Sequence, residues 1–239
     1  MNYTQIIKKL KSMRNEKNIA GMARFGINPR NTLGISVPNL RKIAKSAGKD
    51  HALALRLWAS GIHEARLLAA LIEKPEKVSA LQMEAWVRDF DSWDVCDMTC
   101  DYVFAHTAYA FDKCVKWAKR PETYVRRAAF TLMAVIAWFR IGYTGPKVRK
   151  MLALIEKYST DDRNFVKKAV NWALRNIGKS GTRYYKDALK TAQRLLQSGS
   201  SSASWIAKDA IRELNNPAII ARAKEREKRF AVLRASGKS

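Results

Sequence analysis

The chain has 239 residues, 47% of them apolar, and carries 45 lysines and arginines against 21 aspartates and glutamates, a formal net charge of +24. That length and apolar fraction support one large domain or a repeat array with a real core, which excludes a disordered or collagen-like chain. The cations are spread among apolar residues rather than gathered in lysine blocks, so a folded body should carry a basic surface that attracts polyanions, nucleic acid first and anionic membranes second.

Apolar residues recur at three and four along almost the whole chain. Glycine and proline are scarce and cluster mostly at residues 26–38, 61, 75, 121, 142–146, 178–181, 199 and 217, so the pattern predicts helices joined by short connections. Residues 1–13 form a Lys-rich amphipathic stretch with Lys8, Lys9 and Lys11, without the apolar segment or cleavage site of a secretion signal. Three cysteines, Cys96, Cys100 and Cys114, are too few for a disulfide framework, and the expected location is the cytoplasm. Arg41, Lys42 and Lys45 read equally as a solvated helix face or as a binding surface.

Residues 84–101 reverse the charge. Glu84, Asp89, Asp91, Asp94, Asp97 and Asp101 stand there with a single base, Arg88. Asp91 or Ser92 can cap the helix that follows, and Asp94 suits its first turn. In that helix Val95, Thr99, Tyr102 and Val103 are the expected core, which turns Asp97 outward with Trp93 one turn before it. Cys96, Cys100 and His106 lack two further ligands at ordinary zinc spacing, so the cysteines are expected to be small buried residues and no metal is expected.

Residues 128–139 form the most apolar run, about half the length needed to cross a bilayer and bounded by Arg127 and Arg140, so it reads as a buried helix and no membrane partner is expected. A repeat begins here. The segments YVRRAAFTLM (124–133), FVKKAVNWAL (165–174) and WIAKDAIREL (205–214) place Val125, Val166 and Ile206 in register, 41 and 40 residues apart. That period fits stacked helix pairs of the HEAT or armadillo type. At about 100° per residue, Val166, Val170, Ala173, Leu174 and Ile177 share one buried stripe, while Trp172 lies on the opposite face between Lys168 and Arg175.

Two positions after the anchor the repeats carry Arg127, Lys168 and Lys208; six after it they carry Thr131, Trp172 and Arg212. Asp97 occupies the first of these positions in its own helix. The sequence GKSGT (178–182) is not a phosphate loop, because a helix precedes it where a strand is required. Residues 198–204 are a short serine-rich connection, and after Pro217 a basic helix leads to a tail from Arg234. His51 and His63 have no Ser or Cys partner at a recognisable spacing, and Trp58, Trp86, Trp117 and Trp138 are expected in packing. The expected fold is all-α, an α-α superhelix of HEAT/armadillo-like repeats with a basic concave groove. It is read as a single domain over 1–239, with repeats at about 5–217 and a basic segment at 218–239.

A carboxylate beside tryptophans in a cationic groove suits one chemistry. Cleavage of an N-glycosidic bond passes through an oxocarbenium-like transition state that a single aimed carboxylate stabilises, and a base that is already cationic leaves without a general acid. Indole faces attract such a base. The alternative on residue types alone is a solvated Asp97 among partly packed tryptophans.

The segments MARFGINPRNTLGISVPNLR (22–41), LWASGIHEARLLAALI (57–72), DFDSWDVCD (89–97), VRRAAF (125–130) and FVKKAVNWALRNIGK (165–179) together resemble the AlkD family of HEAT-like-repeat alkylpurine DNA glycosylases, over roughly residues 20–215. The resemblance implies excision of positively charged N3- and N7-alkylated purines from double-stranded DNA without base flipping, metal or other cofactor. It implies that Asp97 is the catalytic carboxylate, Trp93 and Trp172 the cleft tryptophans and Arg127 the cleft arginine. Lys168, Arg175, Lys208, Arg212, Arg126 and Lys167 are then expected on DNA phosphates. Phe25 is expected on DNA as well, standing where the family commonly has a tyrosine after Met-Ala-Arg. The expected protein is a monomer without an obligatory protein partner. The competing readings are a DNA-binding paralogue without catalysis and a protein-binding scaffold, the latter disfavoured by the charge.

Overall fold

The computed structural model describes residues 1–235, so the last part of the tail expected from Arg234, residues 236–239, lies outside the described residues. The chain is all-α, with no strand among the described residues. It forms two compact units, the first from Met1 to Ala110 and the second from Phe111 onward, where the sequence predicts a single domain. Among the described residues no helix is long and apolar enough to cross a membrane.

The first unit contains α1 (Tyr3–Ser12), α2 (Glu16–Arg24), α3 (Val37–Ala47), α4 (His51–Ala59), α5 (His63–Ile72), α6 (Ala80–Arg88) and α7 (Trp93–Tyr102), with 3-10 turns at Pro75–Lys77 and Phe104–His106. Local chemistry sets the starts of these helices. Asn2 and Gln5 form a reciprocal capping box on α1, and the side chains of Asn15, Asp50 and Ser79 accept the backbone N–H three residues on at the starts of α2, α4 and α6. The indoles of Trp58 and Trp86 stack in parallel with centroids 4.0 Å apart, as core packing requires.

The connection between α2 and α3 is held from beneath by a buried charge. Glu64, fully buried in the first turn of α5, accepts the backbone N–H groups of Leu33 (2.8 Å), Gly34 (2.7 Å) and Ile35 (3.2 Å). Such charge-assisted bonds offset the cost of burying the carboxylate. Gly34 adopts φ +76°, and a Cβ there would meet the Asn15 carbonyl oxygen at 2.3 Å, so only glycine fits.

The second unit contains α8 (Ala110–Trp117) apart from its first residue, α9 (Thr123–Phe139), α10 (Gly145–Tyr158), α11 (Asn164–Lys179), α12 (Tyr185–Leu196), α13 (Ser201–Leu214) and α14 (Pro217–Ala235), with a 3-10 turn at Thr182–Tyr184. The repeat register is real: Val125, Val166 and Ile206 open the buried stripes of α9, α11 and α13, and Val170, Ala173, Leu174 and Ile177 complete that of α11. Residues 128–137 of α9 are buried all round, the expected consequence of an apolar run flanked by neighbouring helices. Gly178 lets α11 and α13 approach closely; a Cβ there would stand 2.6 Å and 2.8 Å from the two Leu214 methyl carbons.

Helix α14 is docked by charge and ring contacts. Arg140, in the left-handed conformation that ends α9, pairs with Glu227 at 2.6 Å and lies 4.3 Å from the Phe230 ring centroid. Trp138 departs from its expected place in packing. It is 38% exposed, with the Arg226 guanidinium 3.9 Å from its ring, because the apolar stripe of α9 ends before it and a cation–π contact covers it instead.

Candidate nucleic-acid interface

In the first unit the site is built on α7. Ser92 is at its N-cap position, but the Ser92 hydroxyl accepts the Asn28 backbone N–H (3.0 Å), and Asp91 accepts the Asn28 side-chain amide (2.8 Å). Both residues expected as caps therefore tie α7 to the α2–α3 connection. His63 Nε2 lies 2.9 Å from Asp94 Oδ2. Burial opposes a charge on the His63 ring, yet the hydrogen bond to Asp94 and the charges of Asp94, Glu64 and Asp91 outweigh it and hold the imidazole above its usual pKa. Asp89 accepts the Trp58 indole N–H at 2.8 Å. Three acids of the acidic segment thus have structural work.

Asp97 and Trp93 are half-buried on the same side of α7, one turn apart. The buried face is Val95, Cys96, Thr99 and Cys100. Tyr102, expected in that core, is only half-buried, because its hydroxyl accepts a hydrogen bond from Arg41 at 2.9 Å. Burial first, and then the charge of Asp97, push the Asp101 carboxyl up, with His106 and Arg41 opposing. The Trp93 indole N–H donates to the Phe25 carbonyl at 3.0 Å. Phe25 is itself 75% exposed, at the end of α2. A cleft of about 570 Å³ opens there, lined among others by Lys17, Met22, Arg24, Phe25, Ile35 and Trp93.

In the second unit the two outward columns differ in burial along their length. Arg127 is only 6% exposed and donates to the Phe165 carbonyl at 2.7 Å, whereas Lys168 and Lys208 are exposed. In the other column Thr131 is buried, Trp172 half-buried and Arg212 exposed. The residues around α9 enclose its polar positions, which the helical phase of one repeat does not register.

Several expected phosphate contacts have protein partners. Arg126 pairs with Asp161 (2.7 Å), donates to the Ala118 carbonyl (3.1 Å) and lies over the Tyr158 ring. Arg175 is bonded to Glu213, with Asp209 at 3.6 Å, and Arg212 bonds Asp209. Lys167 is half-buried, its ammonium 5.2 Å from the Trp205 ring centroid. Lys168 and Lys208 are exposed, and Arg212 keeps most of its side chain in solvent despite its bond to Asp209. Trp205, 41% exposed, is an aromatic that the sequence reading passed over; its signal was an aromatic just before each anchor, at Tyr124, Phe165 and Trp205. The clamp residue Glu64 had no comparable signal.

A family model described as DNA alkylation repair enzyme matches residues 6–214, both outward columns and α7 included. The chain belongs to the DNA alkylation repair enzyme family. Helix α14 lies beyond the matched residues. A solved structure, described as a new family of proteins related to the HEAT-like repeat DNA glycosylases with affinity for branched DNA structures, superimposes with a TM-score of 0.75 and 17% identity, over 89% of this chain and 95% of that one. At that identity the likeness establishes the HEAT-like helical-repeat fold. Comparison with curated proteins gave no match.

Proposed function

We propose that this chain hydrolyses the N-glycosidic bond of positively charged N3- and N7-alkylated purines, such as 3-methyladenine and 7-methylguanine, in duplex DNA. The observation that carries this reading is the half-buried carboxylate of Asp97, one turn from a tethered Trp93, in a family member of net charge +24. DNA binding calls for cations; a carboxylate facing a polyanion opposes binding and has a use when positive charge develops on the sugar.

In this reading the bond from C1′ to the purine nitrogen breaks with its electron pair going to the cationic base, which leaves neutral and needs no proton. Asp97 stabilises the oxocarbenium sugar and orients the water that adds to C1′, the spare proton passing to solvent. Trp93 and Trp172 each offer a ring face to deoxyribose and backbone, whereas Arg127, buried against the Phe165 carbonyl, shapes its helix rather than reaching a phosphate. No step requires the base to enter a pocket. Lys168, Lys208 and Arg212 bind phosphates along a basic groove.

The test is release of free 7-methylguanine or 3-methyladenine from methylated duplex DNA, measured by chromatography for the wild type and Asp97→Asn. Release by the wild type alone supports the reading. A second reading, a DNA-binding protein without catalysis, is favoured by the structural neighbour described by its affinity for branched DNA. Salt-dependent binding with no release by either protein selects it.

A further inference from the structure

The cleft beside Trp93 has a composition that the excision chemistry leaves unexplained. Its volume of about 570 Å³ falls within the range of roughly 300–1,000 Å³ found for small-molecule sites. Met22, Phe25, Ile35 and Trp93 give it apolar walls, Lys17 and Arg24 stand among them, and none of its described lining residues is acidic.

The walls are fixed before any ligand arrives. The strand of backbone at Gly34 and Ile35 is clamped by Glu64, and the Asn18 side-chain amide donates to the Gly34 carbonyl at 2.8 Å. The indole N–H of Trp93 is committed to the Phe25 carbonyl. The Trp93 indole N–H and the Gly34 carbonyl are therefore engaged within the protein, and the walls offer a ligand mainly ring face and aliphatic surface, beside Lys17, Arg24 and Ser36. Phe25 holds its ring in solvent at this mouth, 75% exposed, where its face is open to a stacking partner.

A planar, apolar-faced ligand on a polyanionic tether fits each of these features. We infer that the cleft is a stacking site for an unpaired nucleobase of a DNA strand, with Lys17 and Arg24 on the adjoining phosphates. Recognition by faces rather than hydrogen-bonding edges accepts any of the four bases, as in other stacking platforms. The site favours DNA with a base out of its stack, at a bulge, a mismatch or a branch point, and the base it takes is distinct from the one excised. This inference rests on the DNA-binding part of the proposed function and is independent of the excision chemistry.

The experiment compares binding to a short duplex with one unpaired 2-aminopurine and to the same duplex fully paired, following anisotropy and the probe's own emission. The wild type is expected to prefer the unpaired substrate by about 5- to 100-fold and to change the emission of the probe. Phe25→Ala should bring that ratio towards one, and Phe25→Trp, which restores a ring, should keep it. Equal affinity for the two duplexes, or a preference untouched by Phe25→Ala, overturns the inference while leaving the proposed function intact. Failure to bind either duplex overturns both. Competition by free deoxyadenosine monophosphate as strong as by the unpaired strand would assign the cleft to a mononucleotide and overturn the strand-bound form.

Discussion

His63 Nε2 lies 2.9 Å from Asp94 Oδ2, a bond that joins the first turn of α5 to the first turn of α7 and so fixes the end of the helix that carries Trp93 and Asp97. The imidazole is held above its usual pKa: burial works against its charge, and Asp94, Glu64 and Asp91 more than compensate. A group raised in this way contributes stability that is fully present below its unfolded pKa of about 6.5 and is lost as pH rises through the folded value. Urea unfolding of the wild type should therefore show stability falling as pH climbs above about 6.5, other groups apart. Asp94→Asn should flatten that dependence and cost on the order of 1–3 kcal/mol at mildly acidic pH, where the buried imidazolium loses its counter-charge. Identical pH profiles for the two proteins would remove His63 from this role.

For Asp97→Asn the expected loss of excision is about 10²–10³-fold, the scale of removing one preorganised electrostatic group from a transition state. Affinity for undamaged duplex should stay the same or rise, since the variant removes a negative charge. Single-turnover excision and equilibrium binding, measured on the same preparation, separate the two effects. A variant that binds weakly and excises normally contradicts the assignment on both counts.

Binding should weaken linearly in log salt, with each released phosphate contact contributing about 0.9 to the slope. Lys168→Gln and Lys208→Gln, both at exposed positions, should each lower the slope by about that amount with little effect on unfolding. Arg175→Gln should behave differently. It leaves Glu213, and less directly Asp209, short of a partner, so thermal unfolding should show the loss first.

Gly178→Ala tests the close approach of α11 and α13. The added methyl would overlap the Leu214 side chain and press on Ala188 at 3.3 Å, which should destabilise the second unit by about 1–3 kcal/mol. The same substitution at Gly21, which has open space around it, is expected to be neutral or slightly stabilising within its helix.

The helical repeat was legible because each anchor, Val125, Val166 and Ile206, is buried at the same phase of its helix, and phase is a local property of sequence. The placement of Asp97 and Trp93 off the buried face of α7 follows from phase in the same way. The fates of Arg126, Arg127 and Arg175 do not, since they depend on Asp161, on the Phe165 carbonyl and on Glu213, all at least 35 residues away along the chain. Nor did the pattern disclose Glu64, whose three backbone partners lie 29 to 31 residues earlier and have no side-chain signature. The division at Ala110 was equally hidden, because helical periodicity continues on both sides of it.

Stacked repeats have no intrinsic end: the outer face of the last helix pair resembles every inner one and invites another pair to join it. Helix α14 answers this by turning Ala223, Arg226 and Phe230 inward against the second unit, while Arg222, Lys224, Lys228 and Arg229 remain exposed. Two copies meeting on this face would bring like charges together, so α14 discourages self-association there, and a chain cut after Asn216 should associate more readily as its concentration rises.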